Sequence, residues 1–103
     1  MESNKTTYNG TLYRSHLEAK WAVFFDALNI EFEYEPKIFE VTYGPYSLVE
    51  GSYIPDFYLN TLDKYLEIKP TIPQKEELSK TVAFAREYEP IVLLYGNHFV
   101  HPS

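Results

Sequence analysis

The fold is decided by two neighbouring stretches of sequence, YIPDFYL at residues 53–59 and KYLEIK at residues 64–69. Both are rich in aromatic and β-branched residues and both are flanked by turn-forming residues, a pattern typical of β-strands. Side chains alternate between the two faces of a strand. Glu67 and Lys69 are therefore predicted to project from one face of the second strand, while the apolar residues on either side of Glu67 face the other way.

A hairpin formed by these strands would bring Asp56 beside Glu67. Placing two carboxylates and an ammonium group at the end of an otherwise apolar sheet costs free energy, because charged groups lose hydration there. A task that requires such a set is holding a hard divalent cation and activating a water molecule beside it, because Mg²⁺ prefers oxygen ligands. From the residues alone a simpler interpretation stays open, in which Asp56 is a turn residue and Glu67 and Lys69 form an ion pair on an exposed strand.

Length and composition indicate a single globular domain. The 103 residues suffice for one modest core, and 45% of them are apolar and 17% aromatic, which is globular rather than disordered composition. We expect one domain over residues 1–103, with flexible ends at 1–10 and 97–103. The sequence has no membrane-spanning apolar run, no charged-then-apolar leader and no cysteine, so we expect a protein of the cytoplasm.

The net charge of −6 bears on the class of partner. Proteins that bind nucleic acid usually contact phosphates through a basic surface. Two bound divalent ions would offset four of these negative charges at the place where a phosphate has to lie. Weak non-specific affinity for nucleic acid is expected all the same.

A first helix is predicted from about Thr11 to Leu28. Its apolar residues recur at helical spacing and form one stripe, which consists of Leu17, Trp21, Phe24, Phe25 and Leu28. At about 100° per residue, Glu18 lies on the flank of this stripe, one turn after Arg14. An i, i+4 ion pair between Arg14 and Glu18 is the simple interpretation of that acid. The carboxylates on the strands favour a functional role for it.

The remaining elements follow in order. Residues 31–35 alternate acid and aromatic, which predicts a half-buried strand with Phe32 and Tyr34 inward. A further strand region covers residues 37–49 and is interrupted by a turn at residues 43–45. A second helix is predicted from Gln74 to about Tyr88, with these residues inward: Leu78, Val82 and Ala85. The apolar run at residues 91–95 predicts a strand that is covered on both faces.

This order predicts an α/β fold with a mixed sheet, in which the helices pack on a central sheet. The connection from the strand at 64–69 to the strand at 91–95 runs through the second helix. It is therefore predicted to be a right-handed parallel crossover.

Glu18, Pro55-Asp56 and Glu67-Ile68-Lys69, in helix, strand, strand order, resemble the motif of the PD-(D/E)xK nuclease superfamily. The helix text YRSHLEAKWAVFF at residues 13–25 is similar to small phage and bacterial members of that superfamily. The resemblance spans about residues 12–95. It implies a restriction-endonuclease-like αβββαβ core, and a bacterial or phage-infected host cell as the setting.

The resemblance also implies a role for each motif residue. Asp56 and Glu67 would ligate Mg²⁺ or Mn²⁺, with the backbone carbonyl of Ile68 as a further oxygen ligand. Lys69 would orient or activate the attacking water, and Glu18 would complete or tune the metal site. We do not expect Lys69 to be the general base, because an ammonium group beside carboxylates is stabilised in its protonated form.

The expected function is metal-dependent hydrolysis of DNA phosphodiester bonds, by an endonuclease rather than an exonuclease, on a substrate such as a junction or flap. A chain this short has no separate recognition domain, so a homodimer or a subunit of a larger complex is expected. Contacts with substrate phosphates are expected from Arg14, Lys20, Gln74 and Lys75, with Lys80 as a further basic candidate. The three histidines are given little weight as ligands, namely His16, His98 and His101.

A second hypothesis belongs to a different class. The chain would then be a non-catalytic phage-type accessory or anti-defence protein that uses the same scaffold to bind another protein. The negative net charge and the small size favour this hypothesis. The intact set of Glu18, Asp56, Glu67 and Lys69 argues against it.

Overall fold

The computed structural model describes residues 4–96. The strands of this segment are β1 (Thr6–Tyr8), β2 (Thr11–Tyr13), β3 (Phe32–Tyr34), β4 (Phe39–Tyr43), β5 (Val49–Tyr53), β6 (Phe57–Leu59), β7 (Lys64–Lys69) and β8 (Ile91–Tyr95). Its helices are α1 (His16–Ala27) and α2 (Ser79–Glu87), and a 3₁₀ turn (Lys75–Leu78) leads directly into α2. Neither helix of the described segment has the length and apolar character needed to cross a membrane.

The architecture is mixed α+β, with two helices and a mixed four-stranded sheet in the order β3-β6-β7-β8. β6 pairs antiparallel with both β3 and β7, whereas β8 pairs parallel with β7. Two separate hairpins, β1–β2 and β4–β5, complete the strands of residues 4–96. The mixed sheet and the parallel pairing of the last strand were predicted and are confirmed.

The two faces of the central sheet carry separate apolar cores. On one face α1 contributes Trp21 and Phe25, which pack with Phe57 and with the side chains of Leu66 and Ile68 on β7. On the other face α2 and the β4–β5 hairpin form a second cluster, made of Phe39, Val41, Tyr53, Ala83 and Phe84. Glu67 and Lys69 share one face of β7, as predicted from the alternation of side chains, and the structure shows that this face is the α2 side of the sheet.

The stretch at residues 53–59 does not form a single strand, so that part of the prediction is wrong. β5 ends at Tyr53 and pairs with β4, whereas β6 begins at Phe57 and pairs with β3 and β7. Pro55 is fully buried in the gap and explains the break, because proline has no N–H to donate to a sheet ladder. Asp56 therefore lies where the chain passes from the β4–β5 hairpin into the central sheet.

The first helix begins later than the predicted Thr11. It starts at His16, after an N-cap at Ser15 whose hydroxyl accepts the backbone N–H of Glu18 at 3.2 Å. Residues 11–13 form β2, which pairs with β1. The expectation that residues 1–10 are frayed is therefore wrong for residues 6–8.

The signal for this N-terminal hairpin is the dipeptide Asn9-Gly10, with φ values of 51° and 85°. A two-residue type I′ turn needs positive φ at both positions, and Asn-Gly is the pair that meets this need most readily. A two-residue turn motif thus outweighed the helical spacing of the apolar residues downstream. The expectation for residues 97–103 lies outside the described residues.

The buried face of α1 is rotated slightly from the predicted stripe. Trp21 and Phe25 are buried as expected. Phe24 and Leu28 are 40% and 54% exposed, and the other buried residues of the helix are Ala19 and Ala22. Small alanines let α1 approach the sheet closely, and apolar spacing could not separate them from the larger residues.

The predicted inward face of α2 is also corrected. Val82 is 55% exposed, and the buried residues of this helix are Thr81, Ala83 and Phe84. The 3₁₀ turn before Ser79 shifts the helical register relative to a continuous helix from Gln74. The face that packs on β4 and β5 therefore differs from the one that regular spacing predicted.

β8 is not covered on both faces, contrary to the prediction. Val92 and Tyr95 are 41% and 47% exposed, because β8 lies at the edge of the sheet that the described residues form. β3 behaves as predicted, with Phe32 and Tyr34 packed against the core beneath α1. The turn predicted within residues 37–49 is confirmed between β4 and β5.

Candidate active site

Asp56 reaches the end of β7 through its side chain. The ladder pairs Phe57 with Leu66, so a further antiparallel step would bring the backbone near Pro55 opposite Ile68. The chain turns away there, and the Oδ2 atom of Asp56 accepts the backbone N–H of Ile68 at 2.7 Å. Asp56 thus replaces a backbone acceptor and is held beside Glu67, as the sequence predicted.

Glu67 is a buried acid, only 6% exposed. One carboxylate oxygen, Oε1, accepts a hydrogen bond of 2.5 Å from the hydroxyl of Tyr53. The other, Oε2, lies 3.4 Å from the ammonium Nζ of Lys69. The strand alternation therefore places both charged groups of the motif on one face, where each has a fixed partner.

Glu18 approaches from the first turn of α1 and is half-buried. Its Oε1 accepts a hydrogen bond of 2.6 Å from the hydroxyl of Tyr34. That hydroxyl in turn accepts the backbone N–H of Arg14 at 3.0 Å. A tyrosine from β3 thus fixes the Glu18 carboxylate at the sheet, in the same way as Tyr53 fixes Glu67.

Burial raises the pKa values of all three carboxylates, and neighbouring negative charges add to this for Asp56 and Glu18. Burial, followed by the charges of Glu67 and Glu18, raises the pKa of Asp56 to about 8 from an ordinary value of 3.8. Burial is also the main cause that raises the pKa of Glu67, and hydrogen bonding from Tyr53 and the charge of Lys69 oppose it. The pKa of Glu18 is raised by burial first, against the hydrogen bond from Tyr34, and further by the charges of Glu35 and Glu67.

Such a cluster has a defined chemical tendency. Buried acids close to one another do not all ionise readily, so at neutral pH they retain a proton or bind a cation in its place. Among residues 4–96, no group of three or more acids and histidines is arranged so that it could hold a metal ion. A cation held by two carboxylates, with water completing its ligands, is what the donor set suits, and Mg²⁺ binds in that way.

A cleft of about 490 Å³ opens next to Glu67 and Lys69 on the α2 side of the sheet. The β4–β5 hairpin forms one wall, and the 3₁₀ turn with the start of α2 forms the other. The residues that line it are Tyr43, Tyr53, Glu67, Lys69, Glu76, Glu77, Ser79, Lys80 and Thr81. The motif end of β7 is therefore reachable from outside the protein.

The expected phosphate-binding residues do not gather around this cleft. Arg14 precedes α1, and its Nε lies 2.6 Å from Glu35 Oε2, so the alternative interpretation of an ion pair between Arg14 and Glu18 is wrong. Lys20 is exposed on α1, and neither Lys20 nor Arg14 lines the cleft.

Gln74 and Lys75 stand at the start of the 3₁₀ turn, and both are exposed. The backbone N–H of Gln74 donates to Glu77 Oε1 at 2.5 Å, as part of a capping box. Lys75 lines a neighbouring surface depression together with Tyr43. Both residues are therefore close to the cleft in sequence, but neither is among its lining residues.

The histidines are placed as follows. His16 begins α1, and its Nδ1 lies 2.7 Å from the hydroxyl oxygen of Thr6. This bond joins α1 to the N-terminal hairpin. His98 and His101 lie outside the described residues.

Two tyrosines of the site were missed by sequence reasoning as functional residues. Tyr34 was expected to be a core residue and Tyr53 a strand residue, yet each donates its hydroxyl to a carboxylate of the cluster. Their positions carry a weak signal, since both belong to strands that border the motif. A tyrosine in a strand is far more often explained by packing alone, so spacing could not separate these two from the other eight.

Comparisons of this chain with models of known protein families, with curated proteins and with solved structures find no significant match.

Proposed function

We propose that this chain is a metal-dependent nuclease that hydrolyses phosphodiester bonds in DNA, as an endonuclease. The observation that carries the proposal is the meeting of Asp56, Glu67 and Lys69 at one end of β7, where Glu67 and Lys69 line an open cleft. Buried acids whose pKa values are raised by their neighbours are concentrated at functional sites.

The order of elements supports the proposal. If the β4–β5 hairpin is set aside, the chain from α1 onward runs helix, three antiparallel strands, helix and parallel strand. That is the αβββαβ order that the resemblance to the PD-(D/E)xK superfamily implies. The hairpin would then be an insertion between the first and second strands of that core.

In this proposal Asp56 and Glu67 hold Mg²⁺ or Mn²⁺, the carbonyl of Ile68 supplies a further oxygen, and Glu18 tunes the charge of the site. Bound there, the cation would stabilise charge on the phosphate and lower the pKa of a bound water. Tyr53 and Tyr34 fix the orientation of the Glu67 and Glu18 carboxylates by donating their hydroxyl hydrogens.

Lys69 acts as a donor in this proposal. Its ammonium group, paired with Glu67 at 3.4 Å, carries three N–H donors and no acceptor. It therefore positions the attacking water or the phosphate oxygens and does not take the proton of the water. The acting form in this proposal is a homodimer or a subunit of a larger complex.

The test uses the purified chain with Mg²⁺ or Mn²⁺ on supercoiled plasmid, linear duplex, single-stranded and branched DNA. We expect nicking of at least one substrate, its loss in EDTA, and a fall of roughly 10²–10³-fold in rate for Lys69→Ala, comparable to removing one charge-stabilising donor. Lys64→Ala removes the same charge from the exposed start of β7 and should cleave as the wild type does. Absence of cleavage with either metal on all four substrates would refute the proposal.

One feature favours the second candidate, a protein-binding accessory protein. Tyr46 and Leu48 lie in the turn between β4 and β5, where they are 82% and 80% exposed. Neighbouring large apolar side chains that are exposed are common at protein interfaces. If the cleavage assay fails, a Tyr46→Ser, Leu48→Ser variant becomes the informative reagent. Loss of binding to a partner identified with the wild-type chain would then support this function.

A further inference from the structure

Lys80 is a cation that has no anionic partner among residues 4–96. It projects from the first turn of α2, and its side chain is half-buried. Within the part of the chain that the structure describes, no carboxylate lies within 4 Å of its ammonium group, although the protein has 15 acids and a net charge of −6. A lysine with a half-buried stem whose ammonium group makes no ion pair is available to an anion from outside the protein.

The position of Lys80 is defined by two neighbours. Its Nζ lies 5.3 Å from the centre of the Tyr43 ring, in a cation–π contact. Its stem crosses β5 at Gly51, where an added Cβ would lie 3.3 Å from Lys80 Cε and 2.9 Å from the edge of the Tyr43 ring. The missing side chain at Gly51 therefore leaves the space in which the tyrosine and the lysine meet.

Lys80 lines the same cleft as Glu67 and Lys69. Two other acids line this cleft, Glu76 and Glu77. Glu77 is turned back to the N–H of Gln74 as part of the capping box. Glu76, four residues before Lys80, makes no ion pair with it within 4 Å. Among the described residues, the lining of the cleft thus has a cation without an ion pair, Lys80, and a cation paired with Glu67, namely Lys69.

We propose that Lys80 anchors a backbone phosphate of the DNA strand that lies in the cleft, next to the phosphate that is cleaved. This inference rests on the proposed nuclease function and names a further substrate-binding residue for it. A lysine serves as a point charge for phosphate, and the Tyr43 ring holds the ammonium group in the cleft without neutralising it. Gly51 is then required for substrate binding, because a side chain there would displace Tyr43 or Lys80.

The experiment measures binding of a fluorescein-labelled DNA duplex by anisotropy over a series of salt concentrations, with Ca²⁺ in place of Mg²⁺. Lys80→Ala should weaken binding. It should also make the negative slope of log K against log salt shallower by about 0.9, the value for one lost phosphate contact. Lys80→Arg should restore the wild-type slope, because the charge remains. Gly51→Ala should weaken binding in the same direction as Lys80→Ala.

The matched control is Lys64→Ala, which removes the same charge from the opposite end of β7. It should leave the slope unchanged. If Lys80→Ala and Lys64→Ala change the slope equally, or neither changes it, the inference is overturned and the proposed nuclease function is untouched. If the wild-type chain binds no DNA duplex at any salt concentration, the inference is overturned, and the proposed function is decided separately by the cleavage assay on the four substrates.

Discussion

Two hydrogen-bonded groups of side chains that contain carboxylates differ in their surroundings, since one lies at the cleft end of β7 and the other on the outer surface of α2. On the surface, Glu87 Oε2 accepts hydrogen bonds from the hydroxyl of Thr42 at 2.8 Å and from its backbone N–H at 3.2 Å. These bonds, with Arg86, lower the pKa of Glu87. In the cleft region, the pKa values of Asp56, Glu67 and Glu18 are all raised, with burial as the largest cause.

The direction of the pKa shifts shows that the Glu87 group stabilises the folded state at neutral pH, whereas the acids at the cleft destabilise it. A carboxyl group whose pKa is lowered on folding contributes stability at neutral pH, whereas one whose pKa is raised removes it. Glu87 ties α2 to β4 and needs no further explanation. The cleft cluster weakens the fold at neutral pH, which is the behaviour expected of acids arranged for a cation.

The largest expected effect on stability comes from Asp56→Asn, measured by urea unfolding in EDTA. The folded-state pKa of about 8 lies above the ordinary 3.8, so stability from protonated Asp56 is fully present below about pH 4 and is lost as pH rises through about 8. The asparagine can still accept the Ile68 N–H but carries no charge. The variant should therefore gain stability over wild type as pH rises, on the order of a few kcal/mol above pH 8.

The control for this measurement is Glu50→Gln, which removes an exposed carboxylate from β5. Its difference from wild type should be small over the same pH range. Parallel stability curves for Asp56→Asn and wild type would show that Asp56 is not destabilised in the folded state. The contrast between the two clusters would then lose its main support.

Binding of Mn²⁺ sharpens the comparison, because an ion must displace the proton that Asp56 retains. Affinity measured by calorimetry should fall by about tenfold for each pH unit below 8 and level off above it. Proton release, measured in buffers of different ionisation enthalpy, should accompany binding. Glu87→Gln should bind Mn²⁺ as the wild type does, and a pH-independent affinity in the wild type would contradict the assignment of Asp56 as a ligand.

Part of this site could be predicted from the sequence because part of it is local. The alternation along β7 placed Glu67 and Lys69 on one face, and a two-residue period is a property of any strand. The break at Pro55 could also be predicted, because a proline inside a predicted strand argues against a continuous strand. The interpretation of residues 53–59 as one strand overlooked it.

The rest depended on long-range geometry. The hydroxyl of Tyr34 meets Glu18, and the two residues are 16 positions apart in different elements. The contact between Lys80 and Tyr43 beside Gly51 joins α2 to the β4–β5 hairpin. The position of that hairpin relative to α2 was not predicted from the sequence. No periodicity encodes such contacts, because they depend on how the β4–β5 hairpin packs against α2.

The two tyrosine hydroxyls provide a smaller effect within the cleft cluster. Tyr53→Phe leaves Glu67 Oε1 without its donor in a buried setting and should lower the free energy of unfolding by about 1–3 kcal/mol. Loss of this orienting bond should also weaken Mn²⁺ binding by roughly 10- to 100-fold. Tyr34→Phe should weaken Mn²⁺ binding less, because Glu18 only tunes the site in our proposal. Equal Mn²⁺ affinity for Tyr53→Phe and wild type would show that this hydroxyl serves packing alone.

The smallest expected effect belongs to the surface cluster, and its pH dependence has the opposite sign. Because the folded-state pKa of Glu87 lies below the ordinary 4.5, its contribution is present above about pH 4.5 and is lost as pH falls through the folded-state value. Glu87→Gln should therefore be less stable than wild type near neutral pH, with a difference that disappears in acid. Thr42→Val, which removes the hydroxyl and keeps the backbone donor, should show the same trend more weakly. If the deficit of Glu87→Gln persisted unchanged in acid, the two clusters would not differ in the sign of their linkage, and the cost at the cleft could not be attributed to its buried acids.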